Sequence, residues 1–241
     1  MAKRESGLAG VVAVAVMWGS IFGTAEAAIK IRHATVDRVV DGDTVHVRDS
    51  KNQLIKIRMM GIDSAESHLP TDHGVVGQNP WGEAAAQSLQ SILKKGDRVE
   101  VEDFGVDKYG RTLGYVVLNG LNANIEQARR GQAISYLICP AGGCSREELQ
   151  DQHADEIVRS CHAAQVAGRG VFNPANPLRE MPFEFRLRMQ KRQPDKFVGS
   201  LMTRQYVKPE RYRNIPVCDR LFFLSESDAK KSGFTPAFQK N

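Results

Sequence analysis

The chain has 241 residues, 41% hydrophobic and 25% charged, with a formal net charge of +5, no internal repeat and no long low-complexity tract. That composition excludes a disordered or repetitive chain, and the length accommodates one domain of ordinary size with a smaller one. The charge is uneven: residues 178–241 hold 14 Lys+Arg against 7 Asp+Glu, and the preceding residues 19 against 21. A basic C-terminal quarter favours a polyanionic partner there, by the electrostatic attraction that dominates nucleic-acid affinity; the plainer alternative is a solvated tail.

Lys3 and Arg4 precede an uncharged, mostly apolar run from Ser6 to Thr24, which ends in Ala25-Glu26-Ala27. A basic head, an apolar run and a small-x-small site predict a secretory signal peptide, residues 1–27. A retained membrane anchor is the alternative, but the Gly and Ser interruptions favour cleavage. The mature chain is then expected to be exported, periplasmic or secreted, without stable membrane association. Its predicted domains are residues 28–177 and a basic linker with a small module, 178–241.

Val36 to Val40 and Thr44 to Val47 are rich in β-branched residues, and Asp41-Gly42-Asp43 between them is a turn signal, so Asp43 falls at a hairpin end. A third strand is predicted over Leu54 to Ile62, with Arg58 opposite the apolar row of Ile55, Ile57 and Met59. Asp63, Ser64 and Glu66 follow its end. A hard divalent cation takes oxygen ligands, which Asp43, Asp63 and the Ser64 carbonyl can supply, with water and a substrate phosphate completing the shell. Taken alone, Asp-Gly-Asp-Thr is only an ordinary tight turn.

Residues 68–79 show no periodicity and read as a loop beside this site. His68 and His73 in it are not needed by an oxygen-liganded cation. Pro80 to Leu93 has helical spacing, Val99 to Phe104 and Thr112 to Leu118 read as the fourth and fifth strands, and Asn122 to Arg130 as a short helix stopped by Gly131. A longer helix is predicted from Ser145 to Ala167, opened by a Ser145–Glu148 capping arrangement. The fold class expected is α+β, mainly β: a five-stranded OB-type barrel with about three helices and a small C-terminal extension.

The motifs VVDGDTVHV, IRMMGIDSAE, DKYGRTLGYV and NANIEQARRGQA, in that order over about residues 30–173, resemble the thermonuclease family, the staphylococcal-nuclease type of OB-fold domain. The resemblance implies a Ca2+ site at Asp43, Asp63 and the Ser64 carbonyl, with Asp41 nearby. It implies Glu66 beside the attacking water, Arg58 and Arg111 clamping the phosphate, and Lys108 and Tyr109 gripping a neighbouring phosphate. Ala65 stands where the family commonly has proline. Of the paired tyrosines that stack a base, Tyr136 is the only candidate.

Cys139, Cys144, Cys161 and Cys218 make an even number in a chain expected to be exported, which predicts disulfides; a 139–144 bridge and a 144–161 bridge are both open. A zinc site of Cys139, Cys144, Cys161 and His162 is a weaker alternative. From Pro182 to Pro194 the sequence reads as a basic linker. The residues beyond it are similar in pattern to the zinc-binding module of Ada-type DNA-repair proteins, but Val207, Arg211, Ala237 and Lys240 stand where cysteine ligands would fall. That similarity is of shape only, and an unrelated small extension explains the pattern equally.

The function expected is an exported, calcium-dependent nuclease that hydrolyses phosphodiester bonds in DNA, with RNA open as a second substrate and with little sequence preference. The alternative is an OB-fold module that binds nucleic acid without cutting it.

Overall fold

The computed structural model describes residues 30–67, 69–71 and 74–237. The segment read as a signal peptide, His68, His73 and Lys240 lie outside them. The strands β1 (Lys30–Val39), β2 (Thr44–Arg48), β3 (Leu54–Met59), β7 (Arg98–Val106) and β8 (Thr112–Leu118) form a closed barrel. Its order is β3-β2-β1-β7-β8, and a parallel pairing of β3 with β8, Ile57 opposite Thr112, closes it. The alternation that predicted these strands is the alternation observed: Ile57 and Met59 point inward with no exposure, and Lys56 faces solvent. Val36, Val45, Val47, Val101 and Val116 complete the interior, and Leu89 and Leu93 pack against it. Each such side chain stabilises the barrel by about 1.5–3 kcal/mol relative to exposure.

The predicted third strand is divided. Beyond Met59 the chain turns at Met60-Gly61, where Gly61 has φ +76°, and resumes as β4 (Ile62–Ser64). β4 leaves the barrel to pair with β10 (Ala133–Ser135), Ile134 opposite Asp63. The stretch read as a loop contains a short hairpin of β5 (Leu69–Thr71) and β6 (Gly74–Val76), and α1 (Trp81–Ile92) follows. After β8 come β9 (Leu121–Asn122) and α2 (Ala123–Arg129), whose first N–H groups are capped by the Asn122 side chain.

Ser145 and Glu148 do form a reciprocal cap, but it opens only a short 3-10 turn, Glu148–Gln150. Asp151 then caps a new start, and α3 runs Gln152–Val166. In place of a linker after Pro182 there is a helix, α4 (Pro182–Met189), with Pro182 in its first turn and its Glu184 carboxylate accepting from the Met181 N–H at 2.9 Å.

The last quarter builds a second sheet from β12 (Phe197–Ser200), β13 (Gln205–Val207), β14 (Arg220–Phe223) and β15 (Thr235–Pro236), with α5 (Glu226–Lys231) beside it. β11 (Leu137–Ile138), which follows β10 in the chain, joins this sheet parallel to β14 and forms its edge. Two disulfides are present, Cys139–Cys144 and Cys161–Cys218. All four sulfurs are thereby used, and His162 pairs with Asp219 at 2.6 Å, so the zinc alternative has no free thiolate.

Candidate active site

Asp43 is held from three sides. Its carbonyl accepts the Met59 N–H at 2.8 Å, tying the turn to the end of β3, and its N–H donates to Asp41 Oδ1 at 2.9 Å. One carboxylate oxygen, Oδ2, accepts the Ser64 N–H at 2.8 Å and the Ser64 hydroxyl at 3.1 Å; Oδ1 lies 3.3 Å from Arg58 Nη1. The turn fits only glycine at its middle: a Cβ on Gly42 would stand 2.5 Å from Ala85 Cβ and 2.7 Å from the Ser64 side chain. Behind it, Gln127 of α2, wholly buried, donates through Nε2 to the carbonyls of Gly42 and Ala85 and accepts the Ser88 hydroxyl at 2.7 Å.

Asp63, with no exposure, lies at the centre of the cleft. Arg58 Nη2 donates to its Oδ1 at 3.0 Å, while Arg58 Nη1 also donates to the carbonyls of Met59 and Ile62. A second guanidinium, unforeseen from the sequence, comes from α4: Arg186 grips both oxygens of Asp63 at 2.9 Å each and Glu66 Oε1 at 2.6 Å. Glu66 is fixed at its backbone by Gln78, whose Oε1 accepts the Glu66 N–H and whose N–H donates to the Glu66 carbonyl. Ala65 is fully buried beside Ile134 and the Cys161–Cys218 bridge, so packing holds that position without a proline ring.

Arg111, Lys108 and Tyr109 gather on the turn between β7 and β8. Asp107 builds that turn by accepting the N–H groups of Tyr109 and Arg111, and Gly110 takes φ +74°. The β3–β8 pairing sets Leu113 opposite Arg58, so Arg111 stands on the turn just before that strand, and its carboxylate partner is Asp107, at 2.8 Å. Tyr109 is 67% exposed, with Lys108 and Arg111 over its ring. Tyr136, the candidate for base stacking, has its ring occupied by Phe183 at 5.9 Å and Phe222 at 4.9 Å. Its side chain belongs to the packing under Arg186.

The electrostatics follow from four carboxylates sharing one enclosed place. Burial, then repulsion from Asp43, pushes Asp41 up to about 7. Burial likewise raises Asp63 and Glu66 despite Arg186 beside both. Asp43 alone is lowered: burial works against ionisation, but Arg58 and the Ser64 donors outweigh it. The four carboxylates Asp41, Asp43, Asp63 and Glu66 outnumber the guanidiniums of Arg58 and Arg186, an acidic excess of the sign that a cation needs. The oxygen donors also suit a hard ion in kind. Among the described residues no three His, Cys, Asp or Glu side chains form a cage, so such an ion would be held partly by carbonyl, water and phosphate oxygens.

Residues 56–172 match the family model described as Staphylococcal nuclease homologue. The chain is 36% identical over 203 residues to the Endonuclease YhcR of Bacillus subtilis, covering 83% of this chain and 16% of that protein. A match of that length necessarily takes in α4, beyond the end of the family match. The chain is 34% identical over 99 residues to the Thermonuclease of Staphylococcus intermedius, 41% of this chain and 56% of that one. It is also 34% identical over 105 residues to an "Uncharacterized endonuclease" of Escherichia coli O157:H7, 43% of this chain and 61% of that protein. The chain thus spans less than two thirds of the length of each of these relatives. The part matched to the staphylococcal nuclease homologue model, residues 56–172, includes β7, β8 and most of β3 of the barrel and, of the site, Arg58, Asp63, Ser64, Glu66 and Arg111.

Proposed function

We propose that the chain is a metal-dependent nuclease that hydrolyses phosphodiester bonds in DNA, with RNA as a second substrate to be tested, and with little sequence preference. The observation that carries this reading is the convergence of Asp43, Asp63 and Glu66 on shared guanidiniums in one cleft of the barrel. The nuclease names of the relatives support it at the level of a hydrolytic nuclease acting on nucleic acid.

Asp43, Asp63 and the Ser64 carbonyl would hold the ion, for which calcium is proposed, with Asp41 close behind Asp43. When bound, such an ion polarises the phosphoryl oxygen and lowers the pKa of water. Glu66 accepts the proton of the water that attacks phosphorus, and the P–O bond opposite breaks; the departing sugar oxygen takes a proton from solvent water to leave as a hydroxyl. Arg58 and Arg111 donate to the phosphoryl oxygens as their charge grows, where the planar fork of arginine matches two oxygens at once. Lys108 and exposed Tyr109 receive the adjoining nucleotide.

Export is proposed for the mature chain, and two disulfides support an oxidising compartment. Residues 178–241 are proposed as a small module that adds basic surface and, through α4, one side chain to the cleft.

Incubating the mature protein with DNA and with RNA, first with calcium and then with a chelator, tests the reading. Cleavage that needs calcium is expected. Binding without any cleavage in calcium would make the non-catalytic module the better account.

A further inference from the structure

Arg186 has no part in the hydrolysis proposed above, yet its guanidinium holds both oxygens of Asp63 and one of Glu66. The lone pairs it takes are those a cation at Asp63 and the attacking water would need. A cation and a guanidinium on the same carboxylate also repel each other, so the present contacts and a bound cation exclude one another at least in part.

The helix cannot carry Arg186 away. Pro182, Phe183, Glu184 and Phe185 are buried; Phe183 packs on Tyr136, Tyr212 and Phe222. The Glu184 carboxylate accepts from the Tyr212 hydroxyl at 2.5 Å and from Arg213 at 3.2 Å. The outer side chain, one quarter exposed at the cleft mouth, is held by Asp63, Glu66 and the Tyr136 ring and not by the packing of the helix. A swing of the guanidinium within a fixed helix is the motion the packing permits. A released arginine at that mouth faces the place where a phosphate must lie to reach Glu66, and its fork pairs with phosphate as it does with carboxylate.

We infer that Arg186 exchanges partners: it holds Asp63 and Glu66 while no cation is bound, and an entering cation turns it onto an oxygen of the substrate phosphate. The cleft would then have a resting form sealed by its own cation and a working form with a third phosphate-binding guanidinium. The inference rests on the divalent-cation reading of the site given above.

Two titrations on the full mature chain test it, comparing the unaltered protein with Arg186→Ala. Calcium alone, followed by calorimetry, should bind the variant about tenfold more tightly, because its competitor is gone. A single-stranded DNA oligonucleotide at saturating calcium should bind about tenfold more weakly, with KM raised more than kcat is lowered. These opposite directions separate partner exchange from structural damage, which would weaken both. Unchanged or weaker calcium binding overturns the inference, as does unchanged DNA binding. If Arg186→Ala fails to fold, Arg186→Lys keeps one cation without the fork and should shift both affinities in the same directions by less; no shift in it is equally fatal. Should the unaltered protein bind no calcium and cut DNA in chelator, the cation reading itself falls, an outcome distinct from equal calcium affinity in the two proteins.

Discussion

Gln127 on α2 donates to the carbonyl of Gly42, 85 residues earlier in the chain, at 2.9 Å, and in doing so fixes the turn that carries Asp41 and Asp43. The bond is one of three made by a side chain with no exposure. Gln127→Leu, close in volume, leaves the two carbonyls and the Ser88 hydroxyl without it. It should cost about 1–3 kcal/mol in denaturant melts, the penalty of unsatisfied buried groups. Turnover should fall as well, since Asp43 loses its backing.

Asp43→Ala should remove cleavage by orders of magnitude while circular dichroism shows the barrel still folded, because Asp43 stands outside the apolar core; the melting temperature should fall, since Ser64 and Arg58 lose a buried partner. Retention of full calcium-dependent cleavage in this variant would remove Asp43 from the site.

The two arginines of the proposed clamp should separate under the same substitution. Arg58→Lys loses the fork and also the bridge between Asp43 and Asp63, so turnover should fall by about 10²-fold or more. Arg111→Lys gives up the fork toward phosphate and its pairing with Asp107, and its loss should show in turnover with smaller change in thermal stability. Parallel measurement of kcat and melting temperature distinguishes the two.

The disulfides should differ in weight. By the chain-entropy relation the Cys161–Cys218 bridge, 57 residues apart, stabilises by about 4 kcal/mol, and Cys139–Cys144, five apart, by about 2 kcal/mol. Melts of the two paired Cys→Ser variants should keep that order. Non-reducing mass spectrometry of the native protein should find no alkylatable thiol.

Tyr212 gives a pH dependence. Burial, with its hydrogen bond to Glu184, pushes its hydroxyl from 10.0 up to about 12. A folded-state value above the unfolded one means that the stabilisation is complete below pH 10 and lost as pH rises toward 12. Thermal melts between pH 10 and 12 should therefore fall more steeply for the unaltered protein than for Tyr212→Phe. Equal slopes would mean that Tyr212 does not anchor α4 through its proton.

The barrel and most of its acidic cleft could be read in the chain because each signal was local. β-branched alternation marks the strands, and the carboxylates sit in the turn or directly past a strand, where backbone direction fixes their aim. The rest depended on distance or on mixed signals. Phe183, Phe185 and Leu187 alternate as in a strand while Arg186, Arg188 and Lys191 suggest solvent, so the helix there was marked only by Pro182 and Glu184. Nothing near Arg186 in sequence shows that it meets Asp63, 123 residues earlier. The partner of Cys161 lies equally far from local inference, and buried Gln127 looks like any helical glutamine. Ser145 and Glu148 gave a true cap with the wrong consequence, because Asp151 starts the helix again.

The parallel pairing of Leu137 with Leu221 has an implication for how the molecule comes into being. A ribosome delivers Asp43, Asp63 and Glu66 long before Arg186, and the sheet that anchors α4 waits longer still, for β14. Contacts of such separation in sequence form late. A growing chain therefore carries its acidic residues with Arg58 as the guanidinium for Asp63 before the segment from Arg186 to Phe223 supplies the means to close the cleft.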